Sequence, residues 1–538
     1  MADGDGDDAE TLAERLAWAR GGELVSTLEE LEALAAAYPG PTGDAALGAL
    51  VDVLAGHEEH EPEAVQQAAE VVARLVDGRS ADGRRNGAGF LKEPRHVVVL
   101  LDVLETSDAY TAVVVLELIA SLHGSHGEAL VGALLGAPAG GARLLETLGD
   151  AREPVRNAST ALLERLTRVG DAPSGPADEL RTCCAFSEVF PRLWARLEEA
   201  PAGAAGRDCL RLAANVLAGP AVCLALFADA APAGGLGALP RYLELLADDD
   251  EAAEARKTAL AALDVARRYA GAPGSDRPAR QSGAWAFEDL RLSLVALAFT
   301  DDAGGAVALD GDAAYDDGLV VDPSSDGWWS AATAEDAAAR RDDVRAGALD
   351  VLARLLDDHE ANGLAMCEAR VPTDGARSPL APKFVLEVAT RPPLFGPAAA
   401  AARDVARVMW ATEGAAIVAV MHAVAPPPSD DGDAEAPDES AVGALAAALR
   451  SPDRSATALS LFRGLLGKNV SVRELALRAP SATGSPLFED VFRDHVAADG
   501  AAVADGLALL CARRRPKSSR KTLERTPERA FGKKPSLL

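Results

Sequence analysis

Apolar residues recur at i, i+3, i+4 spacing along most of the chain, over 47–54, 65–76, 97–104, 112–122, 144–148, 161–166 and 210–217. The spacing returns over 259–265, 349–356, 405–410 and 456–466. It is the signature of helices that bury one face. No stretch alternates as a half-buried strand would. Ser26-x-x-Glu29 has the form of a capping box at a helix start, and Pro39-Gly40 predicts where that helix stops. Gly-rich and acidic connectors separate the runs. The pattern therefore predicts an all-α chain of many short helices.

One unit of this pattern overlays another. Leu101, Leu104, Asp108, Leu118 and Leu122 match Leu145, Leu148, Asp150, Leu162 and Leu166, once a gap of two residues is placed before the Asp. The second helix of the unit carries a small-apolar–Arg pair, Val155-Arg156, and such pairs return as Ala255-Arg256 and Val344-Arg345. A period of ~40–47 residues with two or three helices is that of armadillo and HEAT arrays. In such arrays each unit leaves a helical face unburied until its neighbour stacks on it. The expected architecture is an armadillo/HEAT-like α-solenoid of stacked short helices.

Composition changes the picture at the ends and connectors. Of 538 residues, 83 are acidic and 53 basic, a net charge of −30, and 49% are hydrophobic. That apolar content excludes wholesale disorder, and the acidity excludes nucleic acid as a partner of the main body. Residues 1–8 read as an acidic, disordered N-terminus. Repeats are expected over 9–270 and 341–510, the second set with a Pro/acidic linker near 425–440. Between them, 271–340 reads as an acidic Gly/Asp-rich insertion with some helix. From 511 to 538 the charge reverses: ten basic residues less Glu524 and Glu528 give +8, which leaves −38 for the rest. Within this disordered tail, Arg513, Arg514, Arg515, Lys517, Arg520 and Lys521 could contact anionic lipid or a partner, or act as a nuclear signal. A terminus that merely counterbalances the acidic body weighs more.

The acidic start is neither a secretory signal nor a transit peptide, and no apolar run reaches the ~18–20 residues of a membrane span. Six cysteines without CxxC spacing read as reduced, mostly buried thiols. A soluble chain facing the cytosol, with only peripheral membrane contact, is expected.

Catalytic chemistry finds no foothold. His57-Glu-Glu-His60 and His123-x-x-His126 have i, i+3 spacing, but the first falls in a charged connector and glycines flank the second. His-Glu-x-x-His is missing, so no metal is assigned. Gly464-x-x-Gly467-Lys468-Asn469 lacks the first glycine and the Ser/Thr of a phosphate loop; Gly467 reads as a helix C-terminus. There is no Gly-x-Ser-x-Gly elbow, and Cys183, Cys184 and Cys209 fall on apolar faces. No catalytic residue and no cofactor is predicted. Asn157 and Asn215 lack the tryptophan four residues earlier that a peptide-binding Trp-x-x-x-Asn ladder needs, so each is expected to tie adjacent helices together.

Three consecutive segments resemble the armadillo-like head of the general vesicular transport factor family, the Uso-type Golgi tethers. The first runs Leu144-Leu145-Glu-Thr-Leu148-Gly-Asp150-Ala-Arg152-Glu153-Pro-Val155-Arg156-Asn157 and ends at Leu162-Leu163-x-x-Leu166-Thr167-Arg168. The second is Ala185-Phe186-x-x-x-Phe190-x-Arg192-Leu193, and the third is Asp208-Cys209-Leu210-x-Leu212-x-x-Asn215-Val-Leu217. Their order and approximate spacing also agree with the family.

These motif residues read as structural. Asp150 with Glu153 would cap a helix start, and Arg156 and Asn157 would bond across to the preceding repeat. Phe186 and Phe190, at i, i+4, would form a core pair. The resemblance implies a non-catalytic head that tethers vesicles between endoplasmic reticulum and Golgi, at the cytoplasmic face of Golgi membranes. Its implied partners are a Rab-type GTPase, SNAREs or golgins. The family's long coiled coil and acidic tail have no counterpart after Gly506, which withdraws the expectation of coiled-coil dimerisation. A generic armadillo adaptor of the chaperone or ubiquitin pathways is the rival reading.

Overall fold

The computed structural model describes residues 4–168, 175–199, 203–229, 235–244, 252–299, 328–371, 380–390, 396–424, 440–451 and 453–467, with 472, 475, 476 and 478. The only β-pairing among them is an isolated bridge between Arg370 and Leu380. The helices begin with α1 (Gly4–Leu16), α2 (Gly22–Ala37), α3 (Pro39–Ala55) and α4 (Pro62–Leu75). Then follow α5 (Ala81–Lys92), α6 (Pro94–Thr106), α7 (Ala109–Gly136), α8 (Gly140–Glu146) and α9 (Glu153–Leu166).

From there the chain runs in threes. The units are α10 (Pro176–Phe186), α11 (Val189–Glu199) and α12 (Ala204–Leu217), then α13 (Ala221–Asp229), α14 (Leu239–Glu244) and α15 (Ala252–Gly271). Next come α16 (Arg277–Ala286), α17 (Glu288–Phe299) and α18 (Trp328–Leu356), and α19 (Glu360–Glu368), α20 (Ala381–Thr390) and α21 (Gly396–Met409). The last unit is α22 (Glu413–Val424), α23 (Ala441–Arg450) and α24 (Ser455–Leu466).

Third helices stack on third helices, α4 on α7, then α9, α12, α15, α18, α21 and α24. Second helices do the same through α14, α17, α20 and α23, and first helices through α16, α19 and α22. This is the all-α armadillo-like solenoid that the periodicity predicts. The small-apolar–Arg pairs sit on the third helix of a three-helix unit, one helix later than the sequence overlay placed them. The extra helix is hidden in α7, which merges the third helix of one unit with the first of the next. His126 breaks helical geometry there (φ −139°, ψ 36°), between Gly124 and Gly127.

The period is visible in which polar groups meet. Arg74 reaches Glu32 (2.8 Å) at a separation of 42 residues, and Tyr242 donates to the Leu197 carbonyl at 45. Arg207 reaches Glu254 at 47, and the Cys367 thiol reaches the Ala415 carbonyl at 48. Where the 300–327 segment intervenes, the same kind of contact spans more chain, as between Arg256 and Asp343 at 87 and Gln281 and the Asp357 carbonyl at 76. The stretch 271–299 is a correction to the expected insertion. It forms α16 and α17, which bury Trp285, Leu290, Leu294 and Phe299 in the common core. Its acidic flanks hid two ordinary repeat helices.

A second regularity escaped the sequence reading. The first helix of a unit sends a buried polar side chain to the C-terminal carbonyls of the preceding third helix. Asn86 donates to the Leu75 carbonyl (3.0 Å), Arg181 to Thr167 and Arg168 (2.8 and 2.9 Å), and Asn362 to Leu355 (2.8 Å). Arg280 does so to Tyr269 (3.2 Å) and Ala272. Those carbonyls have no partner within their own helix, and a cation there also suits the helix dipole. Asn86 needs room: a Cβ on Gly43 would lie 2.1 Å from its amide nitrogen.

Two local expectations fail near the N-terminus. Gly21, rather than Ser26, is the N-cap of α2, and Ser26 lies a turn inside the helix. Pro39 opens α3 at its first position instead of merely ending α2, because a fixed φ and a missing N–H suit a helix start. Gly467 is the C-cap of α24, as read.

Candidate functional site

The family-like motif builds the joints between units. In the turn before α9, Asp150 accepts from the Arg152 side chain at 2.8 and 2.6 Å and from its backbone N–H at 2.8 Å. These bonds from Arg152 hold the Asp150 carboxyl below its ordinary value. Arg152 also donates to the Ser107 carbonyl of the preceding unit at 2.6 Å. The backward bond is therefore made by Arg152. Arg156 turns into its own loop, onto the Asp150 and Ala151 carbonyls (2.7 and 3.0 Å), and Asn157 accepts from Arg196 of the next unit. Asp150 does not cap α9, whose N-cap is Arg152 with no side-chain bond; the carboxylate is already held by the arginine. Glu153 lies exposed in the first turn of α9, where an acid suits the dipole.

Arg192 reaches back to the Leu145 carbonyl (3.4 Å), and Asn215 donates to the Glu164 carbonyl (2.9 Å), tying α12 to α9. Asp208 accepts from Arg207 at 3.4 Å. Burial pushes the Cys209 thiol up to about 12, so it is an un-ionised packing group. The Phe186–Phe190 core pair is corrected. The helix breaks between the two residues, with Glu188 at φ +59°, so i, i+4 spacing no longer puts them on one face. Phe190 is buried against Phe227 and near Trp194, whereas Phe186 is 63% exposed.

In one serine–histidine approach the ring is committed to a helix cap. Ser282 Oγ lies 2.8 Å from His359 Nε2, yet His359 Nδ1 accepts from the Asn362 N–H as the N-cap of α19. The neutral ring then carries its proton on Nε2 and has no lone pair for the serine. Among the described residues no group of three or more His, Cys, Asp or Glu could hold a metal ion, and no helix is long and apolar enough to cross a membrane. The tail residues Arg513, Arg514, Arg515, Lys517, Arg520 and Lys521, the 425–439 linker and Cys511 lie outside the described residues.

What the fold presents is the face along which the third helices lie side by side. On α9 its edge runs through exposed Pro154 and Arg165 and half-buried Ala158 and Ala161, with exposed Arg168 just past the helix end. Towards the N-terminus, between α4 and α7, a shallow groove of about 480 Å³ has Glu70, Asp77 and Glu117 beside Arg74 and Arg79 in its lining, with Tyr110. Further along, the charge changes sign. Among the described residues, Arg165, Arg207, Arg211 and Lys257 on α9, α12 and α15, with Arg168 just past α9, lie with Glu164, Asp208 and Glu254. Arg165 and Arg211 are exposed and make no hydrogen bond or ion pair among the described residues. Sequence reading missed this patch because its residues come from three separate repeats.

No protein-family profile matches the chain. It is 28% identical over 177 residues to the human general vesicular transport factor p115, covering 32% of this chain and 16% of that protein. The bovine p115 is 32% identical over 131 residues, 24% of this chain and 13% of the relative. The crystal structure of Uso1-2 superposes with a TM-score of 0.67 at 14% identity, over 93% of this chain and 77% of that one. The chain resembles the armadillo-like head of a Uso-type tether. The sequence match to p115 spans less than a fifth of those relatives' length, so the likeness concerns one region of a longer kind of protein.

Proposed function

We propose that this chain acts as the head of a vesicle-tethering factor in ER-to-Golgi or intra-Golgi transport, at the cytoplasmic face of Golgi membranes. It would work by surface recognition, with a Rab-type GTPase, SNAREs or golgins as partners and without covalent chemistry. The observation that carries this reading is the sequence similarity to p115 in a chain whose fold follows Uso1-2 almost end to end. The geometry is compatible with it, since the motif residues serve the joints between units and leave the outer faces to partners. The repeats on either side of 300–327 would form the recognition surface, and the basic tail would add a peripheral lipid or partner contact. Pull-downs with GTP- and GDP-loaded Rab proteins and with Golgi membranes test the reading. Retention by at least one is expected; retention by none retires it.

A further inference from the structure

We propose that the outer face of three consecutive first helices docks an amphipathic helix of a partner protein, apolar on one side and flanked by Lys or Arg. The three are the second half of α7, α10 and α13. This face belongs to a different row of helices from the third-helix face, and the inference does not depend on the vesicle reading.

Leu130, Val131 and Leu134 are buried, as are Leu180, Arg181, Cys184 and Ala185, so the positions between them point outward. On α10 the outward row is Glu179, Thr182 and Phe186, at i, i+3 and i+7. On α7 it is Glu128, Gly132 and Gly136, at i, i+4 and i+8. On α13, Val222 and Leu226 are half-buried beside exposed Ala225. The rows lie side by side. A Cβ at Gly175, which caps α10, would come 3.6 Å from Glu128 Oε1, and the Cys223 thiol donates to the Arg181 carbonyl at 3.8 Å.

Phe186 is more exposed than any other large apolar side chain among the described residues. The chain turns at Glu188 (φ +59°), so Phe186 stands at the end of its helix with that carboxylate just beyond it. A Cβ built at Gly132 or Gly136 meets nothing within 4 Å, so the α7 row is bare backbone that a partner side chain can approach. No cation points outward from these rows, because Arg181 turns in to the Thr167 and Arg168 carbonyls.

Charge selects the occupant. Glu128 and Glu179 lie at one end of their rows and Glu188 beyond the other, and none of these carboxylates has a partner among the described residues. At ~1.5 Å per residue the acidic and apolar ends of a row are about 10–12 Å apart, the width of one helix. A helix laid across the rows therefore sets its apolar side on Phe186, Gly136 and Leu226 and reaches the carboxylates from its flanks. The net charge of −30 attracts such a partner. A second copy of the chain would set like acids against each other, and an anionic membrane is repelled.

The test uses the full chain and a fluorescein-labelled peptide helix with a leucine stripe and lysine flanks, followed by anisotropy. About 18 residues span three helices packed ~9 Å apart. Binding that weakens with salt is expected. F186S changes an exposed side chain and should lose about tenfold or more in affinity, and F186L should retain most of it. E179Q/E188Q should weaken binding and flatten its salt dependence, whereas E10Q/E14Q removes the same charge from α1 and should bind as the parent does. Circular dichroism melts confirm that each variant is folded. Absence of binding would overturn the inference, as would parental affinity in F186S. Equal binding of a scrambled peptide, whose leucines share no face, would also overturn it. So would Phe186-dependent self-association, or Phe186-dependent capture by phosphatidylcholine vesicles, in place of peptide binding.

Discussion

Arg207 on the third helix of one unit donates to Glu254 at the start of the next third helix, 2.5 Å away and 47 residues on. Two residues after Glu254, Arg256 repeats the move by pairing with Asp343, at the head of the described side chains of α18. An acid followed two positions later by an arginine thus receives from one neighbour and gives to the other. Of the small-apolar–Arg pairs seen in the sequence, Ala255-Arg256 takes part in this ladder, whereas Arg156 bonds within its own loop. A double-mutant cycle on R207A and E254A should show coupling: each change lowers the melting temperature, and the double variant falls less than the sum. Strict additivity would mean the pair contributes no shared stabilisation.

Replacing Gly43 with Ala tests the close approach of α3 to α5. The added methyl would displace the Asn86 amide from the Pro39 and Leu75 carbonyls, which it now holds at 2.9 and 3.0 Å. A loss of about 1–3 kcal/mol is expected from such overpacking, read as a lower urea midpoint at unchanged slope. A neutral result would show that Asn86 has room to move.

Arg181 is the buried cation that closes the end of α9, and its side chain is paired with Asp178 in its own helix. R181M keeps most of the volume and removes every donor, leaving the Thr167 and Arg168 carbonyls and the Asp178 carboxylate without it. Destabilisation of about 2–4 kcal/mol is expected. Hydrogen exchange should quicken at the end of α9 and the start of α10 before it does elsewhere. Uniform loosening along the chain would argue against a local cap.

Acid stability should report on Asp150. Its folded pKa lies below the unfolded value of about 3.9 because Arg152 bonds to the carboxylate. The stabilisation is therefore complete above that unfolded pKa and is lost as pH falls through the folded one. D150N should flatten this part of the acid limb and lower stability at neutral pH. An unchanged acid limb would place the loss in other carboxylates.

The contribution of His123 to stability is also lost on acidification, in a higher pH range. Burial lowers its folded pKa, aided by Arg168 and Arg165, so the folded chain prefers the neutral ring. Its contribution is most favourable above the unfolded pKa of about 6.5 and fades as pH drops towards the folded value. In R165Q/R168Q the His123 pKa, followed by NMR, should move up towards 6.5. No movement would show that burial alone sets it.

Much of the fold was legible in the sequence. The 3.6-residue periodicity, the overlay of Leu101–Asp108–Leu118 on Leu145–Asp150–Leu162 and the recurring Arg pairs carried the solenoid, because each is a local demand of helix geometry. Places where a helix starts or breaks were less legible. Phe186 and Phe190 look like neighbours on one face until the turn at Glu188 separates them, and 271–299 looks like an insertion until its helices pack. Spacing assumes an unbroken helix, and only packing shows whether it is.

What the sequence determined by itself is the secondary structure, the approximate period and the resemblance to a tether head. Tertiary structure alone decided which groups meet across 41–48 residues, as with Arg85 and Asp44, or Cys367 and Ala415. It also decided that Arg152 rather than Arg156 clamps the preceding unit, and that an acidic chain carries a basic face. Side chains from different repeats become neighbours only when the helices stack. A charge patch drawn from three repeats has no signature along the chain, because the field depends on distance in space and not on separation in sequence.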